Sequence, residues 1–332
     1  LLIGLAPTAS SIGPWAAALL VALRIVQGLA LGAESGVVAG FLSESAGGRG
    51  RGSLTAVYAA TATIGTLIGS LLGVLLTHTL SVDQLTDWGW RIPFLLGGVL
   101  GVTAFFVRRG AAETFDPAEN REPHPLRTIW REHRSDALRT VAAGSVVGLV
   151  FFTFIAGFPS LAVLIGADGR TAFLATSLGL AITVPLNIFF GGLSDRIGRR
   201  RVLIGGYIAM AAGAPAVIAL MWNPNAAWKV YLAQLAIAVT TSVPGGVTTA
   251  AMVERFPPRL RASGFAFVWA VTMATFGGTG PIIATWLAAR GLTFTMSSYL
   301  IVLYVAAGIA VWTMREVAFS ETPWEDAAQP AR

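Results

Sequence analysis

Two apolar runs, 171–193 and 202–222, are joined by the stretch "GGLSDRIGRRR", Gly191 to Arg201. A turn between two membrane helices needs positive charge on the inner side, but it does not need glycines at fixed places around an aspartate. Gly191 permits close approach of a second helix, and Gly198 permits a sharp turn. Asp195 suits the N-terminus of another helix, which we expect to be the cytoplasmic start of the run near Ser53. Arg199 is expected to pair with Glu254, and Arg196 adds to the cytoplasmic charge.

The whole chain has the composition that such a turn requires. Of 332 residues, 55% are hydrophobic and only 12% charged, with a mean hydropathy of +0.69. A soluble domain carries about 25% charge. The chain therefore reads as a polytopic, all-helical membrane protein. A bilayer core of about 30 Å needs about 20 helical residues. Nine stretches meet that length: 15–42, 54–79, 92–109, 138–165, 171–193, 202–222, 228–252, 263–288 and 294–315.

Arginine and lysine orient these spans. The connections after the first, third, fifth, seventh and ninth hold eighteen of the 23, the opposite connections hold four, and Arg24 lies inside a span. The odd-numbered connections and the C-terminus are thus predicted to be cytoplasmic, in the inner (plasma) membrane. The net charge of +6 follows from this topology, so "GGRGRG" at 47–52 is read as inner-side charge and not as a nucleic-acid segment. Absence of cysteine excludes disulfides and thiolate chemistry. His78, His124 and His133 lack partners at metal-ligand spacing, and no nucleophile motif, P-loop or dinucleotide fingerprint is present. No cofactor and no enzymatic activity are expected.

Internal repetition gives the domain plan. Glu44 is followed seven residues later by Arg51, and Glu254 seven residues later by Arg261, six spans further on. Six-plus-six duplication with two parallel halves is a transporter architecture. The polar, proline-containing segment 110–137 reads as the cytoplasmic linker, 1–109 as the remainder of the N-terminal half, 138–316 as the C-terminal six-helix half, and 317–332 as a cytoplasmic tail. The chain opens without Met on "LLIGLAP". By the symmetry, three N-terminal helices would precede it, with a second copy of the loop whose arginine reaches Glu44.

The first span, "LLVALRIVQGLALGAESGVVAGF" from Leu19 to Phe41, carries Arg24, Gln27 and Glu34. At 100° per residue these fall within about 80°, a polar stripe on an apolar helix. Each charge costs about 2.5 to 3.5 kcal/mol at mid-bilayer, so the stripe faces protein or water. It reads either as a structural ion pair or as a functional pair, in which Arg24 attracts a carboxylate or sets the proton affinity of Glu34. Asn187 and Gln234 are further pathway candidates. Gly65, Gly69 and Gly73 in the second span read as a smooth face for close helix packing. Thr61, Thr240, Thr241 and Ser242 are expected to bond their own helices.

The loop Gly191–Arg201 resembles the loop signature of the major facilitator superfamily, Gly-x-Leu-(Ala/Ser)-Asp-Arg-x-Gly-Arg-(Arg/Lys)-(Arg/Lys), at every defined position. "RIVQGLALGAE" at 24–34 and "WGWRIPF" at 88–94 resemble segments of its metabolite:proton symporters, the carriers of proline/betaine, α-ketoglutarate, citrate and shikimate. The resemblance extends from about Leu1 to Pro323. Ala33 stands where those carriers have glycine, and "VFFTFIAGFP" holds phenylalanines where relatives often carry tyrosines. The resemblance implies two rocking halves latched at the loop in the outward-open state, with the first span among the helices of the central cavity. The proton antiporters' Gly-Pro-x-x-Gly-Gly segment is absent from the second span, which tilts the reading toward symport. The function implied is a proton-coupled symporter of a small organic acid or zwitterion, monomeric in membrane lipid. An antiporter of the same fold and a transport-inactive sensor are the alternatives.

Overall fold

The computed structural model describes residues 1–45, 50–109, 123–222 and 225–314; the side chains at 29, 31–34, 44, 107, 108 and 258 are outside the described set. The side chains of Glu34 and Glu44, the first thirteen residues of the expected linker and the expected tail 317–332 therefore lie outside it.

The described residues are helical nearly throughout. The long helices are α1 (Trp15–Ser45), α2 (Arg51–Thr79) and α3 (Arg91–Arg109), then a short amphipathic α4 (Pro125–Glu132) and α5 (Arg134–Val150). They continue with α6 (Gly169–Ile197), α7 (Arg199–Met221), α8 (Ala227–Val253), α9 (Pro258–Thr272), α10 (Gly278–Ala289) and α11 (Thr293–Thr313). Among the described residues, eight helices are long and apolar enough to cross a membrane, and they coincide with the second to ninth expected spans. The first expected span falls on α1, whose apolar described part runs Trp15–Gly28.

Two spans are less regular than their apolar pattern suggests. The span expected over 138–165 starts earlier, at Arg134, passes through a π-helical turn at Phe151–Ile155, breaks at Gly157 and resumes over Phe158–Leu164. The span expected over 263–288 likewise passes from α9 to α10 through a π turn at Met273–Gly277. Within the expected linker, α4 seats fully buried Ile129 beside Phe265 and Val268 of α9.

Packing sorts the helices. A core built from α5–α8 and α10–α11 buries Phe154, Phe158, Leu180, Tyr207 and Leu300. A smaller cluster at the arginine-rich end joins Ala39 of α1, Ile129 of α4, Val253 of α8 and Phe265 of α9. Between the three helices before α4 and the six spans after it, the main contacts are α2 on α6 and α1 on α9. Along α2 the buried face is Thr55, Ala56, Ala60, Thr63 and Ser70.

That face corrects one expectation. Gly65 and Gly69 are exposed, and a Cβ added at either meets nothing among the described residues, whereas Gly73 alone of the three lies close to a neighbour, the ring of Phe173. Gly65 stands about 200° around the helix from Thr63, so the face that packs on α6 is opposite. The hydroxyls of Thr61, Thr240, Thr241 and Ser242 donate to their own helices at 2.6–2.8 Å, as expected.

Candidate functional site

The arginine-rich end of the α2–α6 contact holds the densest polar cluster. Gly198, at φ 100°, is the only residue between α6 and α7, a backbone conformation that a side chain would strain. This turn brings Asp195, in the last turn of α6, against the start of α2. Its two carboxylate oxygens accept from the backbone N–H groups of Gly52 and Ser53, each at 2.9 Å. The first N–H groups of a helix have no partner within it and carry the positive end of its dipole, so a carboxylate there is doubly favoured. The contact expected near Ser53 is present.

Arg199 completes the cluster. Its guanidinium lies 2.7 Å from Asp195 and 3.1 Å from Glu254, and it donates to Ser194 Oγ at 2.9 Å. Ser194 Oγ in turn donates to the Gly191 carbonyl at 2.7 Å. One cation thus ties the ends of α6, α7 and α8, while the N-terminus of α2 supplies the second positive partner for Asp195. The side chains of Asp195 and Arg199 are 16% exposed and that of Glu254 is 8% exposed, so solvent screens the cluster only in part. Arg261 is buried, Arg196 is exposed, and Arg51 donates from Nε to the Ser43 carbonyl at 3.2 Å.

Close backbone approach makes these bonds possible. A Cβ on Gly191 would lie 2.5 Å from the Cβ of Ala56 and 2.6 Å from the Gly52 carbonyl oxygen. At the α1–α9 contact, a Cβ on Gly36 would lie 2.6 Å from the Cβ of Ala266. Gly36, Gly40, Gly52 and Ser194 were not singled out from the sequence. The four-residue spacing of Gly36 and Gly40 was the available signal, the same one that Gly65 and Gly69 display with no neighbour among the described residues.

The other candidates occupy three places. Arg24 donates to Gln27 Oε1 at 3.2 Å, and its guanidinium stands 5.9 Å from the ring centroid of Phe94 on α3. Phe94 meets Trp90 edge-on, and Arg91 stacks on Trp90 while donating to the carbonyls of Gly4 and Ala6, which accounts for the "WGWRIPF" segment as an anchor for the chain's first turn. Asn187 is buried where α2, α6 and α8 meet, donating weakly to Thr63 Oγ1 at 3.4 Å and lying against Gly245. Gln234 is buried on α8 against Gly179 of α6. Of the pathway candidates with described side chains, only Arg24 and Gln27 come together. Phe154 and Phe158 fill the core, and half-exposed Phe152 lies against Gly277.

Similarity to known proteins agrees with this arrangement. The Major Facilitator Superfamily profile matches residues 1–186. The chain is 33% identical over 317 residues to the alpha-ketoglutarate permease of Escherichia coli strain K12, covering 92% of this chain and 72% of the relative. It is 29% identical to the ectoine/proline transporter of Corynebacterium glutamicum, over 95% and 66% of the two chains. It is 30% identical to the citrate-proton symporter of Klebsiella pneumoniae, over 86% and 65%. The chain thus spans about two thirds of the length of the latter two. The solved structure of the proton:xylose symporter XylE bound to 6-bromo-6-deoxy-D-glucose shares the fold, with a TM-score of 0.62 at 15% identity over 83% of this chain and 67% of that one. The chain belongs to the major facilitator superfamily, a family of membrane transporters, and its relatives include the organic-acid and proline carriers that its motifs resemble.

Substitution of Asp195 tests the cluster. Asp195→Asn keeps one acceptor but removes the charge, and a charge at a helix N-terminus contributes about 0.3 to 2 kcal/mol. The arginine-rich end should open roughly 2- to 30-fold more often. The chain has no cysteine, so a single reporter at Ser43, which is 1% exposed, reads this directly. Its labelling rate should rise by that factor; an unchanged rate would leave Asp195 as a turn residue only.

Proposed function

We propose that the protein is a proton-coupled symporter of a small organic acid or zwitterionic metabolite that works by alternating access. In this reading 1–109 and 138–316 belong to two rocking bodies joined by the linker 110–137, and the arginine-rich end and C-terminus are cytoplasmic. The observation that carries it is the two-point contact of Asp195 with Gly52 and Ser53. It joins the two sets of helices through polar bonds over glycine-lined surfaces. The Asp195, Arg199 and Glu254 cluster, with Arg51, Glu44 and Arg261, acts as the gate. The carriers of α-ketoglutarate, citrate and ectoine/proline among the relatives suggest the substrate class.

Uptake into reconstituted vesicles tests the reading. With only a pH gradient imposed, acid outside, labelled α-ketoglutarate, citrate or proline should accumulate inside. Efflux of substrate against inward proton movement would indicate an antiporter, and no movement of any of them would favour a sensor.

Arg24 is assigned the attraction of the substrate's carboxylate. Its hydrogen-bond partner among the described residues is the neutral Gln27, and that contact does not neutralise its charge. Arg24→Gln should weaken binding of anionic substrates and lower exchange and accumulation together, by about tenfold if one charge-assisted bond of roughly 1.5 kcal/mol is lost. Unchanged half-saturation for an anionic substrate would place recognition elsewhere.

A further inference from the structure

The surface of the helix bundle carries an apolar groove of about 510 Å³ between α7 and α11, lined by Ile204, Ile208 and Ala211 on one wall and Val305, Ile309 and Trp312 on the other. Tyr207 and Gly308 lie at its floor, where nothing larger than hydrogen separates the helices at position 308. From Ile204 to Ala212 the groove runs eight residues along α7, about 12 Å. That is close to one leaflet's share, about 15 Å, of a 30 Å hydrocarbon core. The groove therefore begins at the arginine-rich surface and ends near mid-membrane, so its length suits one acyl chain and not a partner helix that spans both leaflets.

Charge marks its open end. Arg200 lies one turn before Ile204 on the same face of α7, and its guanidinium stacks on the ring of Trp312, 4.0 Å from the centroid. Arg199 beside it is committed to Asp195 and Glu254, whereas Arg200 has no acidic partner among the described residues. Stacking fixes the plane of the guanidinium while leaving its N–H edge able to hold a phosphate. Arg201 follows, exposed. Basic residues at the mouth of an apolar crevice between membrane helices are suited to an anionic headgroup.

We propose that this groove seats one chain of an anionic phospholipid from the leaflet at the arginine-rich side, with Arg200, stacked on Trp312, holding the phosphate and Arg201 strengthening the field. The site is separate from the Asp195 cluster and independent of which substrate is carried.

Native mass spectrometry of the detergent-purified protein, with dioleoyl phosphatidylglycerol or dioleoyl phosphatidylcholine added, tests it. The anionic lipid should be retained about tenfold more tightly than its zwitterionic counterpart, in keeping with two arginines near the headgroup. Arg200→Gln should lower that ratio to about threefold or less, the share left to Arg201. Gly308→Leu should reduce retention of both lipids, because a Cβ there meets only Tyr207, at 4.0 Å, and the side chain would enter the groove without disturbing the core. Glycerol phosphate alone should not compete. A ratio near one in the unmodified protein, a ratio unaffected by Arg200→Gln, retention unaffected by Gly308→Leu, or competition by glycerol phosphate would each overturn the proposal.

Discussion

Gly191→Val should disfavour closure of the arginine-rich end and reduce transport roughly 5- to 150-fold. Carbon atoms in contact sit about 3.5 to 4.0 Å apart, and a Cβ at 191 would stand 2.5 Å from the Cβ of Ala56. Neither that atom nor the Gly52 carbonyl is the far end of a flexible side chain, so the helices themselves must separate by about 1 Å or more. The bonds from Gly52 and Ser53 to Asp195, now 2.9 Å, would then exceed hydrogen-bond length. Overpacking costs about 1 to 3 kcal/mol, which is roughly 5- to 150-fold in the population of the closed form. Gly36→Leu should act in the same direction at the α1–α9 contact. Gly65→Ala and Gly69→Ala are the controls: they sit on α2 beside nothing described and should leave both transport and the Ser43→Cys labelling rate unchanged. If Gly191→Val transports normally and Ser43→Cys stays protected, closure does not depend on this approach.

Those glycines also show what the sequence could and could not carry. Membrane spans are written locally, as apolar runs long enough for the bilayer, and the second to ninth expected spans are matched among the described residues. The Asp195 contact was legible because the turn is short. Gly198 fixes the direction of α7, and the order of glycine, aspartate and arginine within eleven residues leaves few geometries that satisfy every group. Face assignments were not legible in the same way. A four-residue spacing of glycine says that a helix could approach, not that one does, and Gly36 and Gly40 are packed where Gly65 and Gly69 are not. Asn187 and Gln234 read as pathway residues because they are polar in apolar spans. They lie against Gly245 and Gly179, and only the pairing of α6 with α8 decides that. The π turns at Phe151–Ile155 and Met273–Gly277 have no periodic mark in the sequence, since one extra residue in a uniformly apolar run changes nothing that hydropathy can record. The helix Pro125–Glu132 did have a mark, the spacing of Leu126, Ile129 and Trp130, hidden by its charged neighbours.

Glu34→Gln should abolish accumulation of substrate driven by a pH gradient, the largest functional loss expected of any single substitution here. We propose Glu34 as the proton-coupling carboxylate. Helix α1 runs unbroken from Trp15 to Ser45, so position 34 lies ten residues beyond Arg24, a rise of about 15 Å. In this proposal that rise weighs against the structural ion pair. At an effective dielectric of 20, two charges that far apart interact by only about 1 kcal/mol, enough to bias a proton equilibrium but not to hold a fold. Position 34 also precedes Gly36, which is locked against Ala262 and Ala266 of α9 in the closed arrangement. Opening that contact changes the water and charge around the neighbouring turn of α1, and the proton affinity of a carboxyl group follows both. A proton bound with one end open can therefore be released with the other end open. Gln keeps the shape and most of the hydrogen bonding of Glu but cannot cycle a proton. Substrate exchange, which needs no net proton movement, should survive in part in Glu34→Gln, whereas in Arg24→Gln exchange and accumulation should fall together. Parallel measurements of counterflow and of pH-driven uptake in reconstituted vesicles separate the two. Should Glu34→Gln still concentrate substrate when only a pH gradient is imposed, the coupling group is another residue and position 34 serves the packing of α1 alone.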